Sequence, residues 1–337
     1  MGKILITGAA GFIGSHLVDL LLEEGEPIKR LRLLIPKGVS TKNISRAIEK
    51  KVDVIFGDIR DKKVVKKAME GVEVVYHLAA RIDFDGKSYE EYEGVNVEGT
   101  QNLLDACRGK KIQKFVFFSS IAVFGLPAGI GNIVNWDESF PKKYTNYYGQ
   151  SKFEAEKRVI KAHEEWGIPY AIIRPASVYG PREQGPTLAL YRAIKQNRFF
   201  MIGNGDNKMH YVFVRDLVGG ARQAQLSLVR NGDYILAGDR PVKLSDLIKH
   251  IAGSIGKTVP SWYIPTDVAL ILSYVLEWVG KIVGIKPPLF PSRVKTMTTT
   301  YYYNIAKARK EIDYDPKVSF KEGAESTGRW YLENNLL

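Results

Sequence analysis

The sequence predicts an α/β protein built on a doubly wound parallel sheet, with a smaller and mostly helical lobe in the second half of the chain. Three observations support this fold class. Short apolar runs alternate with helical patterns over the first 180 residues, a glycine-rich turn joins the first run to the first helical pattern, and the alternation becomes irregular after Pro175. Strands that alternate with helices form parallel sheets covered on both faces. We therefore predict one domain over residues 1–180, to which the chain returns around residues 205–240, and a lobe that mainly comprises residues 181–337.

The individual strands and helices are predicted from the apolar periodicity. The expected strands are Lys3–Thr7, Leu31–Ile35, Val52–Phe56, Val72–His77, Phe115–Phe118 and Tyr170–Ile173. The expected helices are Phe12–Glu24, Lys62–Glu70, Tyr92–Cys107 and Tyr148–Trp166. A short apolar run fits a strand or a buried helix equally well, so the regular alternation is what decides.

Residues Gly8 to Gly14 read G-A-A-G-F-I-G, between the first predicted strand and the first predicted helix. Such a turn directs free N–H groups and the positive end of a helix at one point, which suits a pyrophosphate. Gly8 and Gly11 would allow a ligand to approach closely, and Gly14 would let the helix lie close to the strand. The spacing is one residue off the G-x-G-x-x-G form, and a plain tight turn is the alternative. The strand and helix around it favour nucleotide binding in a Rossmann-type fold.

The composition argues against several function classes. The chain has one cysteine, Cys107, which excludes an internal disulfide framework and favours a reducing, cytoplasmic location. Met1–Thr7 lacks the basic and long apolar regions of a signal peptide. The 49 basic and 37 acidic residues give a net charge of +12. These charges are interleaved, without an arginine tract or a cluster of zinc ligands, so we expect neither nucleic-acid binding nor a metal site.

One stretch in the second half, Val268–Val283, is strongly apolar but also contains Glu277 and Lys281. A membrane span needs about 20 mostly apolar residues, so we expect no transmembrane helix. We expect instead a buried helix or an apolar lid over the substrate, with peripheral membrane contact as the alternative. The cations that would help such contact are Lys281, Lys286, Arg293 and Lys295.

Tyr148 and Lys152 carry the clearest signal for chemistry. Their spacing of four residues places both side chains on one face of a predicted helix. A phenol with a pKa of about 10 becomes a useful acid or base when a nearby ammonium favours the phenolate. Ser119 and Ser120 follow a predicted strand, where a hydroxyl could hold a substrate oxygen. The bare pattern also fits a surface pair one helical turn apart.

A series of motifs accompanies that pair. They are TGAAGFIG (Thr7–Gly14), GDIRD (Gly57–Asp61), HLAA (His77–Ala80), NVEGT (Asn96–Thr100), SSIAVFG (Ser119–Gly125), YGQSK (Tyr148–Lys152), RPASVYGP (Arg174–Pro181) and, more weakly, HYVFVRDL (His210–Leu217). With these motifs in this order, the chain resembles the extended short-chain dehydrogenases/reductases. The similarity is to the branch that contains epimerases, dehydratases and 3β-hydroxysteroid dehydrogenases.

This resemblance implies roles for individual residues. Tyr148 would be the acid/base, Lys152 would lower its pKa and contact the cofactor ribose, and Ser120 would hold the substrate oxygen. Asp58 would flank the adenine, although it could instead cap the following helix, and His77 is expected to be a packed residue rather than a catalyst. The implied dinucleotide-binding set is Gly8, Gly11, Phe12, Ile13, Gly14, Asp58, Ile59, Leu78, Ala79, Ala80, Asn96, Ser119, Tyr148, Lys152, Pro175, Ala176, Ser177 and Val178.

The choice of cofactor depends on the end of the second predicted strand. Relatives that prefer NAD usually carry an acid there, whereas this chain reads Leu34-Ile35-Pro36-Lys37-Gly38. Lys37, or else Arg32 or Lys42, could meet a 2′-phosphate. The sequence therefore slightly favours NADP over NAD.

The implied activity is hydride transfer between a nicotinamide and a secondary alcohol or ketone. Cations that could hold a sugar-nucleotide diphosphate are few, namely Lys208, Arg215 and Arg293, whereas candidates for an apolar wall are Trp262, Tyr263, Leu270, Tyr274, Leu276, Trp278 and Phe290. We therefore expect an apolar, sterol- or flavonol-like substrate. The alternatives are a sugar-nucleotide epimerase or dehydratase with bound NAD, and a non-catalytic nucleotide-sensing protein. In many relatives the helices predicted at Tyr92–Cys107 and Tyr148–Trp166 form the dimer face, so we expect a homodimer.

Overall fold

The computed structural model describes residues 2–82, 88–125, 134–259, 262–284 and 289–337. Lys286 lies outside these ranges, and so does the side chain of Arg293. Within them, the strands are β1 (Lys3–Thr7), β2 (Leu31–Ile35), β3 (Asp53–Phe56), β4 (Val72–His77), β5 (Lys114–Phe118), β6 (Val134–Trp136), β7 (Tyr170–Pro175), β8 (Ser177–Tyr179), β9 (Met201–Ile202), β10 (Lys208–Met209), β11 (Tyr211–Phe213), β12 (Asn231–Leu236), β13 (Val242–Lys243), β14 (Tyr263–Ile264) and β15 (Tyr301–Tyr303).

Helices connect most of these strands. They are α1 (Phe12–Glu23), α2 (Ser45–Glu49), α3 (Lys62–Ala68), α4 (Glu90–Tyr92), α5 (Gly99–Cys107), α6 (Tyr147–Trp166), α7 (Pro186–Lys195), α8 (Val214–Leu226), α9 (Leu244–Ser254), α10 (Thr266–Val283), α11 (Pro291–Thr298), α12 (Ala306–Ile312) and α13 (Phe320–Glu333). A π-helical segment at Glu93–Glu98 joins α4 to α5, and short 3₁₀ turns occupy Ile28–Arg30, Lys42–Ile44 and Ile121–Phe124.

The main sheet has seven parallel strands in the order β12-β7-β5-β4-β1-β2-β3. The chain runs outward from β1 through β2 to β3, and then crosses back to β4 on the other side of β1. The order of strands therefore reverses between β1 and β4, and ligands of such sheets bind outside the carboxyl ends of the strands at this point. The fold confirms the predicted doubly wound, Rossmann-type α/β class.

Alternate residues of β1 explain why both faces of the sheet are covered. Ile4 and Ile6 pack into one apolar cluster with Leu17 of α1, while Leu5 packs into a second cluster with Leu103 of α5. A strand buried on both faces reads as a continuous apolar run, as β1 does. Most predicted strands and helices are confirmed to within two residues at each end.

The second half of the chain contributes both to the sheet and to a separate apolar cluster. Strand β12 extends the sheet beside β7, which agrees with the predicted return of the chain around residues 205–240. Helices α7, α9 and α13 pack around a cluster that contains Tyr191, Leu247 and Tyr331. The division into two domains remains a prediction.

The predicted role of Val268–Val283 is wrong. The two fully buried side chains of helix α10 are small ones, Ala269 and Ser273. Most of its large apolar residues point to solvent, and Ile271 and Trp278 are each 67% exposed, whereas Leu270 and Leu276 are partly buried. Periodicity predicted the helix but could not show which of its faces is covered. Among the described residues, no helix is both long and apolar enough to cross a bilayer.

Candidate active site

The glycine turn after β1 brings β1, α1 and β4 close together. Gly8 has a φ of +68°, and a Cβ on it would lie 2.8 Å from the backbone nitrogen of Ala79. A Cβ on Gly14 would lie 2.3 Å from the carbonyl oxygen of Gly8, which confirms that Gly14 permits close helix–strand packing. Helix α1 begins after Gly11, and no described side chain caps it. Its first N–H groups are therefore available at the carboxyl edge of the sheet.

Ser120 and Tyr148 meet at the end of β5, as the sequence predicted. Asn146 accepts a hydrogen bond from the N–H of Gly149 at 2.7 Å and so fixes the start of α6. A Cβ on Gly149 would lie 2.5 Å from the carbonyl oxygen of Ala122, so a glycine is needed where α6 packs on the turn after Ser120. The Ser120 and Tyr148 side chains are hydrogen-bonded. The Ser120 oxygen also accepts from the N–H of Ala122 at 3.1 Å.

Burial is the largest cause of the pKa shifts of Tyr148 and Lys152. Burial raises the pKa of Tyr148 to about 12, and the hydrogen bond with Ser120 opposes that rise. The sequence led us to expect a lowered pKa, caused by Lys152. However, the Lys152 ammonium donates to the carbonyl oxygen of Phe118 at 2.7 Å and lies over the ring of Phe117. Burial lowers the pKa of Lys152 to about 7, and the Glu156 carboxylate counteracts this shift. Tyr148 is thus a neutral phenol near neutral pH.

His77 is a packed residue, as predicted. Its Nδ1 lies 2.8 Å from Thr7 Oγ1, and its Nε2 lies 2.9 Å from Thr100 Oγ1. Burial lowers the pKa of His77 to about 3, and the charge of Lys152 acts in the same direction. Both ring nitrogens are occupied and the ring stays neutral, so His77 ties β4 to β1 and α5 rather than taking part in chemistry.

Asn96 connects the loop after β4 with helix α6. Its amide oxygen accepts from the N–H of Arg81 at 2.8 Å, and its amide nitrogen donates to the Ser151 hydroxyl at 2.9 Å. Ser151 in turn donates to the carbonyl oxygen of Tyr148 at 2.8 Å. Asn96 therefore braces the first turn of α6 from the neighbouring helix.

A buried ionic network beneath the site was not predicted from the sequence. Ser119 donates to Glu156 at 2.5 Å, and Glu156 accepts two hydrogen bonds from Arg174 at 2.8 and 2.9 Å. Arg174 continues to Asp233 on β12, which also pairs with Lys307 of α12. Burial opposes the charge on Arg174, but the two carboxylates outweigh it and raise the Arg174 pKa. The only sequence signal was Glu156 itself, one further turn along the Tyr148–Lys152 face.

The residues implied for the adenosine end follow the carboxyl ends of β2 and β3. Asp58 is held by Arg60, whose guanidinium donates to it at 2.6 Å and lowers its pKa. The alternative in which Asp58 caps the following helix is wrong, because Asp61 caps α3 through the N–H groups of Lys63 and Val64. Ile59 is buried in the core, and its carbonyl oxygen accepts from Asn102 at 3.1 Å.

The three cations considered for a 2′-phosphate differ in position. Lys37 is exposed just beyond the carboxyl end of β2. Arg32 is excluded, because it is buried and its guanidinium donates to Asp53 and to the carbonyl oxygens of Ala68 and Glu70. Lys42 is exposed, and its ammonium lies 3.4 Å from the side-chain oxygen of Asn334.

A cavity of about 530 Å³ opens beside Tyr148. It is bordered by Phe12 and Ile13 of α1, by Ser119 and Ser120, and by the Pro175–Val178 segment, all of which the sequence placed at the cofactor or substrate. Further walls come from the second half of the chain and are mainly aromatic. They include Tyr179, Tyr191, Tyr211, Tyr301, Tyr303 and Phe320.

The residues predicted to form the apolar wall do not line this cavity. None of Trp262, Tyr263, Leu270, Tyr274, Leu276, Trp278 and Phe290 borders it among the described residues. Trp262 and Tyr274 are exposed, and Leu270 and Leu276 pack against Ile202 and Val294 instead. The wall is instead provided by residues around β8, β11 and β15. The irregular sequence pattern after Pro175 did not identify them.

The geometry fits a dinucleotide. The glycine turn leaves no room for side chains beneath it, and the uncapped start of α1 offers N–H donors for a pyrophosphate. Leu78, Ala79 and Ala80 are partly exposed just beyond β4, at the switch point of the sheet. The Tyr148–Ser120 pair lies at the same edge, beside the cavity. Fold and site together are those of a nucleotide-binding α/β protein in which Tyr148 borders the cavity.

Comparison with known proteins identifies the family. Residues 4–235 match the model of the NAD dependent epimerase/dehydratase family, and the chain belongs to it. This confirms the resemblance to extended short-chain dehydrogenases/reductases, and with it the prediction of an NAD(P)-dependent enzyme.

Three proteins illustrate the range of similarity. A 3beta-hydroxysteroid-dehydrogenase/decarboxylase isoform 2 of Arabidopsis thaliana is 29% identical over 96% of this chain, which spans only 61% of that relative. An N-acetyl-alpha-D-glucosaminyl-diphospho-ditrans,octacis-undecaprenol 4-epimerase of Escherichia coli O157:H7 is 28% identical over 90% of this chain and 88% of its own. The structure of UDP-glucuronic acid 4-epimerase from Bacillus cereus in complex with NAD superimposes with a TM-score of 0.75 at 25% identity, covering 97% and 96% of the two chains.

Proposed function

We propose that this chain transfers hydride between a nicotinamide and a secondary alcohol or ketone on an apolar, sterol- or flavonol-like substrate. The observation that carries this proposal is the character of the cavity beside Tyr148. Aromatic and aliphatic side chains form most of its wall, and no lysine or arginine borders it among the described residues. Apolar pockets with a few placed polar groups select apolar ligands and orient them through those groups.

One charged residue among those described, Glu183, borders the cavity. Glu183 is buried and accepts hydrogen bonds from the N–H groups of Gly185 and Leu188 and from the Tyr331 hydroxyl, at 2.6, 3.1 and 3.2 Å. Its carboxylate is therefore committed to holding the start of α7. The candidate diphosphate ligands lie elsewhere, since Arg215 pairs with Glu23 and Lys208 does not border the cavity among the described residues.

The proposed chemistry uses three side chains. When bound, a nicotinamide dinucleotide supplies or accepts the hydride. The neutral Tyr148 phenol donates its proton to the substrate oxygen during reduction, and the phenolate takes it back during oxidation. Ser120 hydrogen-bonds the same oxygen. Lys152 stabilises the phenolate and contacts the ribose. Because burial raises its pKa, Tyr148 holds its proton at neutral pH and can donate it to the substrate oxygen.

The dinucleotide would lie along the carboxyl edge of the sheet. The residues proposed to hold it are the Gly8–Gly14 turn, Asp58 and Ile59, Leu78–Ala80, Asn96, Ser119, Lys152 and Pro175–Val178. The NAD-bound epimerase structure supports a nicotinamide dinucleotide of this kind. For this chain we propose a slight preference for NADP, because exposed Lys37 lies beyond the carboxyl end of β2 and no acid occupies residues 31–40.

A second candidate is epimerisation of a sugar attached to a diphosphate, with bound NAD in a closed redox cycle. The Escherichia coli relative, whose name specifies such a substrate, favours it. The absence of lysine and arginine from the described cavity lining argues against it, because a diphosphate requires cationic or N–H ligands.

The deciding experiment measures both cofactor and substrate. Mass spectrometry of the ligand released from purified protein identifies the dinucleotide. A panel of sterol-like alcohols and ketones and of sugar nucleotides is then assayed by nicotinamide absorbance. We expect net oxidation or reduction of the cofactor with apolar substrates only. Conversion of a sugar nucleotide without net oxidation or reduction of the cofactor would support the epimerase instead. The variant Tyr148→Phe is the control and gives the background rate.

We also propose that the enzyme is a cytoplasmic homodimer that pairs through α5 and α6. Light scattering at micromolar concentration should give twice the chain mass of 37.9 kDa. A mass of one chain would refute the proposed dimer.

A further inference from the structure

Helix α10 presents its apolar side to solvent, the reverse of an ordinary surface helix. Ile271, Trp278 and Ile282 are 67%, 67% and 66% exposed. They are seven and four positions apart, about two turns and one turn of helix, so they lie on one face. The covered face holds Ala269 and Ser273. Soluble helices bury the apolar face, and contiguous exposed apolar surface marks an interaction site.

Exposed aromatic residues lie next to this apolar face, and the sequence around it is basic. Trp262 and Tyr263, just before α10, are exposed, as is Tyr274 within it. Residues 262–300 contain four cations, Lys281, Lys286, Arg293 and Lys295, and two acids, Asp267 and Glu277. All four cations come after the first three turns of the helix. Trp and Tyr next to an apolar face, with basic residues beyond them, are typical of helices that lie in the interface of an anionic bilayer.

We propose that the outward face of α10 binds the surface of an anionic membrane, with the helix lying in the plane of the interface. The face comprises Val268, Ile271, Val275, Trp278 and Ile282. At about 1.5 Å per residue, this helix covers a length of apolar contact typical of interfacial helices rather than of membrane spans. A second copy of the chain is a poorer occupant, because the net positive charge of the sequence over 262–300 would repel an identical segment.

The position of α10 along the chain connects this surface with the active-site cavity. Helix α11 packs beside α10 and is followed directly by β15, whose Tyr301 and Tyr303 border the cavity. Tyr303 is held there by its N–H, which donates to Nδ1 of the buried His210 at 3.1 Å. A membrane-bound orientation would thus place the bilayer near the element that carries part of the cavity wall. The membrane contact itself does not depend on the proposed substrate.

The test is co-sedimentation of the full chain with lipid vesicles. One set contains phosphatidylcholine alone, and the other an equimolar mixture of phosphatidylcholine and phosphatidylglycerol. We expect the protein to bind the anionic vesicles more strongly, and added salt to weaken that binding. Ile271→Glu and Trp278→Glu should each weaken it about tenfold or more, because each replaces a large inserted apolar group by a charge.

The matched control is Leu228→Glu. Leu228 is 99% exposed but lies between α8 and β12, away from α10, so its replacement should change binding less than about twofold. Unchanged urea midpoints for the variants show that the fold is intact. Absence of binding to both kinds of vesicle, or an equal loss with Leu228→Glu, would overturn the proposal. So would a dimer that Trp278→Glu converts to monomer, since this face would then belong to a second copy.

Discussion

Glu156 of α6 accepts two hydrogen bonds from Arg174 of β7, at 2.8 and 2.9 Å, with both side chains almost completely buried. Helix α6 carries Tyr148 and Lys152, and β7 leads into the Pro175–Val178 wall of the cavity. This ion pair therefore fixes Tyr148 relative to the opposite wall of the cavity. It also places a carboxylate one turn beyond Lys152, where it favours the charged form of that ammonium.

Removing one partner of this pair should be costly. Glu156→Leu leaves the buried Arg174 guanidinium with Asp233 as its remaining carboxylate, and unpaired buried charges typically cost about 3–5 kcal/mol. We expect the free energy of unfolding in urea to fall by about 3 kcal/mol or more. The control Glu23→Leu removes ion pairs with Arg46 and Arg215 that are partly exposed, and should cost less than about 1 kcal/mol.

A double variant separates the stability lost because a buried charge is unpaired from the stability lost because packing has changed. Glu156→Leu combined with Arg174→Met removes both charges, and should recover most of the stability lost in Glu156→Leu. If the double variant is less stable than Glu156→Leu, the charge-pairing explanation is wrong.

The sequence predicted the parts of the site that depend on neighbouring residues. The run Lys3–Thr7, the glycine turn and the four-residue spacing of Tyr148 and Lys152 are local patterns, and the structure places them together. Glu156 and Arg174 were missed because their pairing joins a helix to a strand 18 residues away. Charged residues in a helix are usually solvated, so nothing in Glu156 alone indicates burial.

The apolar wall and α10 show a different limit. The sequence placed the apolar wall around α10, but the tyrosines from the second half of the chain that line the cavity are Tyr179, Tyr191, Tyr211, Tyr301 and Tyr303. Periodicity determines that a helix has two faces. Only packing determines which face is covered; in α10 it covers Ala269 and Ser273, with Leu276 partly buried, and leaves most of the large apolar residues exposed.

Tyr148→Phe should remove most of the turnover and leave dinucleotide binding intact. The change deletes only the hydroxyl that would exchange a proton with the substrate, and loss of a general acid/base typically costs about 10²–10⁴-fold. The control is Tyr147→Phe, since Tyr147 is adjacent, largely exposed, and absent from the cavity wall among the described residues. Steady-state rates and dinucleotide titrations measure the two effects. Turnover of Tyr148→Phe within a few-fold of the parent would disprove its role.

Lys152 should make stability depend on pH in the alkaline range. Its pKa falls from 10.5 to about 7 on folding, because burial disfavours the ammonium. Between these two pH values the unfolded chain holds a proton that the folded chain has lost, so the Lys152 contribution to stability rises with pH. Lys152→Met abolishes this titration. Its effect on the free energy of unfolding, relative to the parent, should therefore be most favourable near pH 7 and decline towards about pH 10.5.

Urea unfolding of parent and variant at several pH values measures this difference. The half-exposed Lys157, on the same helix, pairs with Glu154. Lys157→Met is the control and should show no such trend. A Lys152→Met effect that is the same at every pH would mean that Lys152 keeps its ordinary pKa in the folded protein.

Lys37→Glu should reverse the proposed preference for NADP. Lys37 is exposed beyond the carboxyl end of β2, where the adenosine 2′-substituent would lie. A lysine attracts a 2′-phosphate, whereas a carboxylate repels it and can hydrogen-bond a free ribose. Because solvent screens such an exposed contact, we expect a parental preference of about 1 kcal/mol, roughly fivefold in the dissociation constants.

The control for this last substitution is Lys29→Glu. Lys29 is also exposed, but it precedes β2 and so lies at the opposite end of the strand. Lys29→Glu changes the net charge by the same amount as Lys37→Glu, but it does so away from the carboxyl edge of the sheet. Dissociation constants of NAD and NADP for parent and both variants measure the effect. Equal constants for the two dinucleotides in the parent, unchanged by Lys37→Glu, would show that Lys37 is a solvated loop residue with no part in cofactor choice.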